Sequence, residues 1–153
     1  MSIKCQLSKI MNLKPYENSF RNEIIEVWES SVRATHLFLS KADIEFYKSL
    51  VKGINFDEFD VYCAFSEQNE LIGFMGIAEQ KLEMLFLKPD FIGKGLGKSM
   101  TTYAIEQLKV NEVDVNEDNK NAVGFYQNLG FVQYDRTPLD GCNKPYPILK
   151  MRL

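Results

Sequence analysis

The sequence predicts one α+β domain, and three observations carry that reading. Strand-like and helix-like apolar periods alternate along the chain in the order β-α-α-β-β-β-α-β-α-β-β. A glycine-rich loop joins one strand directly to one helix, Gly93 to Lys98, and makes a β-loop-α unit. The 153 residues leave room for a single core, so one domain over 1–153 is expected.

The elements follow in order. Ile3, Cys5 and Leu7 alternate with polar neighbours, the period of a half-buried strand. Between Asn18 and Arg33, Phe20, Ile24, Val27, Trp28 and Val32 recur at spacings of three and four, one face of a helix. Ser40 stands three residues before Asp43 as a box-like start to a second helix, which carries Ile44, Tyr47, Leu50 and Val51 and stops at Gly53. The period then changes. Asp60–Ser66, a polar turn at 67–70 and Leu71–Ala78 read as an antiparallel hairpin. Leu82–Leu87, stopped by Lys88-Pro89, reads as a central strand buried on both faces. Leu96, Met100, Tyr103, Ala104 and Leu108 share a helical face directly after the glycines. Val113 and Val115 mark a brief strand. Ala122, Phe125, Tyr126 and Leu129 mark a helix closed by Gly130, and strands at Phe131–Thr137 and Tyr146–Leu153 end the chain. Both parallel and antiparallel pairs are implied, seven strands and four helices in all.

Composition removes several classes. Hydrophobic residues at 45% and charged residues at 25% are globular proportions, which excludes a disordered or collagen-like chain. No apolar run approaches the ~20 residues that span a bilayer, and residues 1–14 hold no secretory apolar block, so a cytoplasmic location is expected. Cys5, Cys63 and Cys142 are odd in number with no C-x-x-C pair, which argues for reduced thiols and against a zinc site. A net charge of −3 offers no basic field for nucleic acid or an anionic membrane.

The charge is nevertheless uneven. Residues 81–109 hold five lysines against three carboxylates, so an anion would find local welcome near the loop. Gly93-Lys94-Gly95-Leu96-Gly97-Lys98-Ser99 lets backbone N–H groups approach a phosphate at a helix N-terminus, where the helix dipole adds roughly half a positive charge. The alternative is a tight turn without a ligand. A triphosphate-binding G-x-x-x-x-G-K-[ST] loop would need glycine where Ile92 stands. A dinucleotide G-x-G-x-x-G fingerprint fails at Lys98 in one register and at Met100 in the other.

The run from strand 82–87 through Lys88-Pro89-Asp90-Phe91-Ile92-Gly93-Lys94-Gly95-Leu96-Gly97, followed after a helix by N-x-x-A-x-x-x-Y-x-x-x-G-F over Asn119–Phe131, resembles the GNAT superfamily of acyl-CoA-dependent N-acyltransferases. Trp28–His36 and Gly141–Pro147 further resemble its YjaB-like branch, so the resemblance covers nearly the whole chain. It implies a GNAT-type fold: a central mixed, mostly antiparallel sheet of six to seven strands flanked by about four helices. It also implies acetyl-CoA as co-substrate. Gly93, Lys94, Gly95, Leu96, Gly97 and Lys98 would meet the pyrophosphate, and Leu85, Phe86 and Leu87 would pair with the pantetheine arm as an added strand. Asn119 would bond the cofactor and Tyr126 would lie beside the thioester sulfur. Where the family usually has Arg or Gln, this chain has Ile92, which implies weaker cofactor binding.

An acetyl group moves from a thioester only to a neutral nitrogen, and a lysine-like ammonium at pH 7 is handicapped by ~4.6 kcal/mol. Glu83 and Asp114 are the candidate bases, direct or through water, each with the alternative of a plain strand carboxylate. A backbone N–H near Phe86 or Leu87 would meet the developing oxyanion. Tyr126 is the candidate acid for the leaving thiolate, with a core position as its alternative. Trp28 and His36, the latter the chain's single histidine, are expected at the substrate, with structural or capping roles as the alternative for His36. Cys63 is expected inside its strand, which disfavours a ping-pong route through a thiol. Glu112, Asp114, Glu117 and Asp118 are either a solvated strand end or an attraction for a cationic amine. The reaction predicted is direct transfer to a primary amine of a small molecule or protein, by a monomer or homodimer; an acyl-CoA-binding sensor without transfer is the second class.

Overall fold

The computed structural model describes residues 12–153. The strand expected at Ile3, Cys5 and Leu7 lies outside the described residues, as does Cys5. Seven strands, β1 (Leu13–Pro15), β2 (Asp60–Phe65), β3 (Leu71–Ala78), β4 (Lys81–Leu87), β5 (Glu112–Asn116), β6 (Val132–Thr137) and β7 (Ile148–Arg152), form one sheet in the order β1-β2-β3-β4-β5-β7-β6. Every neighbouring pair is antiparallel except β4 and β5, which run parallel. Four helices, α1 (Arg21–Thr35), α2 (Lys41–Lys52), α3 (Leu96–Leu108) and α4 (Lys120–Asn128), complete the α+β fold.

Local chemistry explains most boundaries. One 3-10 turn, Asn18–Phe20, precedes α1, which therefore starts three residues later than the apolar spacing suggests. The Ser40 hydroxyl accepts from the Asp43 N–H at 3.1 Å and starts α2, an N-cap worth ~1 kcal/mol. Gly130, at φ +99°, follows α4 in the left-handed region.

Two cores flank the sheet. Ile24, Val27, Trp28, Val32, Ile44 and Val51 of α1 and α2 pack with Val61, Cys63, Phe65 and Phe74 on one face. Met100, Tyr103, Ala104 and Tyr126 of α3 and α4 pack with Ala64, Met75, Leu82 and Val113 on the other. Each fully buried large apolar side chain contributes roughly 1.5–3 kcal/mol. Cys63 lies within the first core, where burial pushes its thiol up to about 12 and leaves it an inert packing group at neutral pH.

One sequence expectation is corrected. The strand buried on both faces is β3, whose Leu71–Ile77 are all buried, whereas β4 is half-exposed over Glu83–Phe86. The cause is the short β4–β5 ladder, which registers only Lys81 with Glu112 and Leu82 with Val113. β7 lies between β5 and β6, so β6 is the sheet edge at that end.

Candidate active site

Beyond Leu82 the edge of β4 that faces β5 has no strand partner among the described residues, and a cleft of about 660 Å³ opens there. It gathers residues from five elements: the end of α1, β4, the glycine loop, the start of α3 and helix α4. Of the residues singled out from the sequence, His36, Leu85, Phe86, Leu87, Gly93, Gly95, Gly97, Lys98, Asn119 and Tyr126 line it. Glu83, Asp114, Trp28, Lys94 and Leu96 do not. Trp28 is 7% exposed and supports Phe86 from behind, ring to ring at 6.5 Å.

The cleft floor depends on a close backbone approach. A Cβ on Gly73 would stand 2.7 Å from Leu87 Cδ2 and 3.2 Å from the Phe86 carbonyl oxygen, so a side chain there would turn Leu87 aside and press on the β4 backbone. At the loop the glycines act differently. Gly93 (φ +78°) and Gly95 (φ +90°) are left-handed, and a Cβ on either would meet nothing within 4 Å. Open space therefore lies over a backbone that leads into α3, whose N-cap Gly95 supplies no side-chain acceptor. The first N–H groups of α3 are thus available to an anion such as a pyrophosphate. Ile92, 40% exposed, is the apolar side chain at this end of the cleft.

Tyr126 is held edge-on between Phe125 (5.1 Å) and Phe131 (5.7 Å) and is 7% exposed. Burial raises its pKa, so the phenol keeps its proton and serves as a donor. Asn119 begins the same helix, its Oδ1 accepting from the Ala122 N–H at 3.3 Å, which leaves its amide N–H groups for a ligand. Sequence reasoning missed Phe125 as a lining residue. Its ring lies 3.7 Å from where a Gly97 Cβ would stand, so it joins α4 to the start of α3. Its place beside Tyr126 in the motif was the available signal.

The two candidate bases lie on β4 and β5, away from the lining. Asp114 is held by Lys81 Nζ at 2.8 Å. Burial raises the pKa of Glu83; Lys81 opposes that rise and Asp114 adds to it. Elsewhere in the acidic cluster, Glu117 takes a two-pronged contact from Arg136 at 2.7 and 3.0 Å. Two of the four negatives are therefore already paired.

The far end of the cleft is built from side chains. Ser31, Thr35 and His36 line it, with the His36 ring tilted against Phe38 at 5.4 Å and against Phe86 at 6.4 Å. Phe38 meets Tyr146 at 5.8 Å. Behind them the 138–147 segment is tied to α2. Tyr47 donates to Asp140, Tyr146 donates to Asp43, and Lys144 Nζ lies 2.9 Å from the other Asp43 oxygen. No group of His, Cys, Asp and Glu among the described residues is placed to hold a metal ion.

The chain resembles known proteins in both sequence and fold. Residues 26–144 match the family described as the acetyltransferase (GNAT) domain. The chain belongs to the GNAT family. It is an acetyltransferase that moves an acetyl group to an amine nitrogen. Among its GNAT relatives, the peptidyl-lysine N-acetyltransferase YjaB of Salmonella typhimurium is 34% identical over 93% of this chain and 97% of its own. The solution structure of the apo form of YjaB from Escherichia coli superposes with a TM-score of 0.83 at 32% identity, covering 92% of this chain and 95% of that one. The PaiA N-acetyltransferase of Thermoplasma acidophilum, solved in complex with coenzyme A, gives a TM-score of 0.73 at 25% identity, over 92% and 98%. No described helix is long and apolar enough to cross a membrane.

Proposed function

We propose that this chain binds acetyl-CoA in the cleft and acetylates the Nε of lysine in a peptide or protein. One observation carries the reading: the unpaired edge of β4, the left-handed glycine loop and the buried phenol of Tyr126 all face one cavity. Acetyl-CoA supplies the acetyl thioester. The N–H groups of Gly93–Lys98 hold its pyrophosphate, and the free edge of Leu85–Leu87 aligns its arm as a missing strand would. The amide of Asn119 adds a side-chain donor. Tyr126 gives its proton to the departing sulfur. Glu83, which lies outside the lining, takes the amine proton through intervening water, because Asp114 is already committed to Lys81 while the pKa of Glu83 is raised.

A lysine acceptor fits the far end of the cleft, where Phe86 offers an apolar face to a four-carbon stem. The two relatives that cover 93% of this chain, at 34% and 32% identity, are peptidyl-lysine N-acetyltransferases.

The test is a set of acceptors offered with acetyl-CoA and read by mass spectrometry: an Nα-blocked peptide containing one lysine, its Lys→Arg counterpart, and a polyamine. The lysine peptide alone should gain an acetyl group. Acetylation of the polyamine with the peptide untouched would overturn the assignment.

A further inference from the structure

His36 is fixed by backbone at the end of α1. Its N–H donates to the Val32 carbonyl at 2.8 Å, and its own carbonyl accepts from Leu39 N–H at 3.0 Å. Its ring has one polar protein contact among the described residues, Nδ1 to Thr35 Oγ1 at 2.8 Å. The same Oγ1 lies 2.7 Å from the Ser31 carbonyl oxygen. A carbonyl oxygen only accepts, so the single hydroxyl proton of Thr35 points to Ser31. Toward His36 the hydroxyl can then only accept, and Nδ1 must carry the proton. A neutral imidazole has one N–H, which leaves Nε2 with a lone pair. No buried side-chain nitrogen or oxygen among the described residues lacks a partner. Nε2 has none, so it is open, and Ser31, Thr35 and His36 all line the cleft.

We propose that the Ser31 carbonyl, the Thr35 hydroxyl and the His36 ring form a relay that offers Nε2 as the hydrogen-bond acceptor for the N–H of the incoming amine. The inference rests on the acetyl-transfer reading above and adds the atom that orients the nitrogen. Thr35 acts through His36 and is a positioning residue. Its hydroxyl selects which ring nitrogen keeps a free lone pair. The packing of the ring against Phe38 and Phe86 works in the same sense, because an apolar setting disfavours the imidazolium, which could accept nothing.

A single histidine makes the test clean. In ¹⁵N-labelled protein without a histidine tag, long-range nitrogen–proton spectra show one imidazole. It should carry the protonated-type shift on Nδ1 and the lone-pair type on Nε2. Thr35→Val keeps the shape and removes the acceptor, and should move the ring toward the Nε2–H form. Thr35→Ser should restore the wild-type spectrum. In steady-state assays Thr35→Val should raise the KM for the amine about five- to tenfold with an unchanged Kd for acetyl-CoA, and Thr35→Ser should reverse the change. The Nε2–H form in the wild type, or a Thr35→Val protein with wild-type spectrum and KM, would overturn the proposal. Failure of the lysine reading would look different: no acetylated peptide, with the histidine spectra as stated.

Discussion

The two ends of the cleft are made by different means. At the glycine loop no side chain of Ile92–Lys98 makes a hydrogen bond among the described residues, and the binding surface is backbone: two left-handed glycines and the first turn of α3. At the acceptor end side chains interlock, with Tyr47 on Asp140, Tyr146 and Lys144 on Asp43, and Lys144 Nζ 4.5 Å above the Phe46 ring. Backbone donors persist through most substitutions, so the loop end tolerates sequence change while its conformation holds. The acceptor end changes with each side chain, so on the proposed reading selectivity for the amine resides there.

Tyr126, between the two ends, gives the largest expected effect. Tyr126→Phe should lower kcat about 100-fold or more, the usual range for losing a general acid, with Kd for acetyl-CoA and thermal midpoint nearly unchanged. An unaltered kcat would return Tyr126 to a packing role. Next, Asp140→Ala should separate the ends. Asp140 accepts from Tyr47 and from the backbone N–H groups of Cys142 (2.9 Å) and Lys144 (3.0 Å), so its loss should reduce stability by about 2 kcal/mol and raise the amine KM. Kd for acetyl-CoA, measured by calorimetry, should not move; a parallel loss at both ends would erase the distinction.

The third effect is a pH dependence. Burial pushes the pKa of His36 down to about 4, below the ~6.5 of an unfolded histidine, and outweighs the negative end of α1, which favours the imidazolium. As pH falls from 6.5 towards 4, the unfolded chain binds a proton that the folded chain does not. Stability that is complete above 6.5 is therefore lost across that window. The ring is partly buried, so solvent should trim the loss to about 1–2 kcal/mol. Urea titrations at several pH values should show His36→Gln losing less stability than wild type between pH 6.5 and 4.5; matching slopes would refute the shift. The carboxyls held below their usual range by cation partners, Glu29 and Glu117, remain in both proteins and cancel. The smallest effect comes from the loop. Ile92→Arg should tighten acetyl-CoA binding about three- to fivefold in low salt and less in high salt, because the new guanidinium lies at an exposed rim. An unchanged Kd would mean that backbone alone sets affinity there.

How far the sequence revealed this divides along the same line. The glycine loop and Tyr126 fall in contiguous motifs, where spacing reports local geometry. Helical faces were readable for the same reason. The role of Leu85–Leu87 came only with the family resemblance. Strand β1 was not, because three residues ending in Pro15 show no period and gain their place only from β2. The half-exposure of β4 follows from a ladder that ends after Leu82, which no apolar run encodes. The acceptor wall joins residues such as Tyr47 and Asp140 that lie 93 positions apart, and Thr35 gained meaning only from the two atoms its hydroxyl touches. Glu83 and Asp114 were chosen as carboxylates on the right strands, but side-chain direction and the partner Lys81 lie beyond a linear reading.

The insertion of β7 between β5 and β6 also fixes a timetable. β6 pairs with β7 alone, and β5 meets β4 through only two registered residues. During folding, β5 therefore keeps an open edge beside Val113 and Val115 until Ile148–Arg152 dock. Three of the seven strands, β5, β6 and β7, are joined to one another only by that docking. A chain halted before that point keeps an unpaired edge of the kind that recruits other strands, which makes this interval the one in which a nascent copy is most exposed to aggregation.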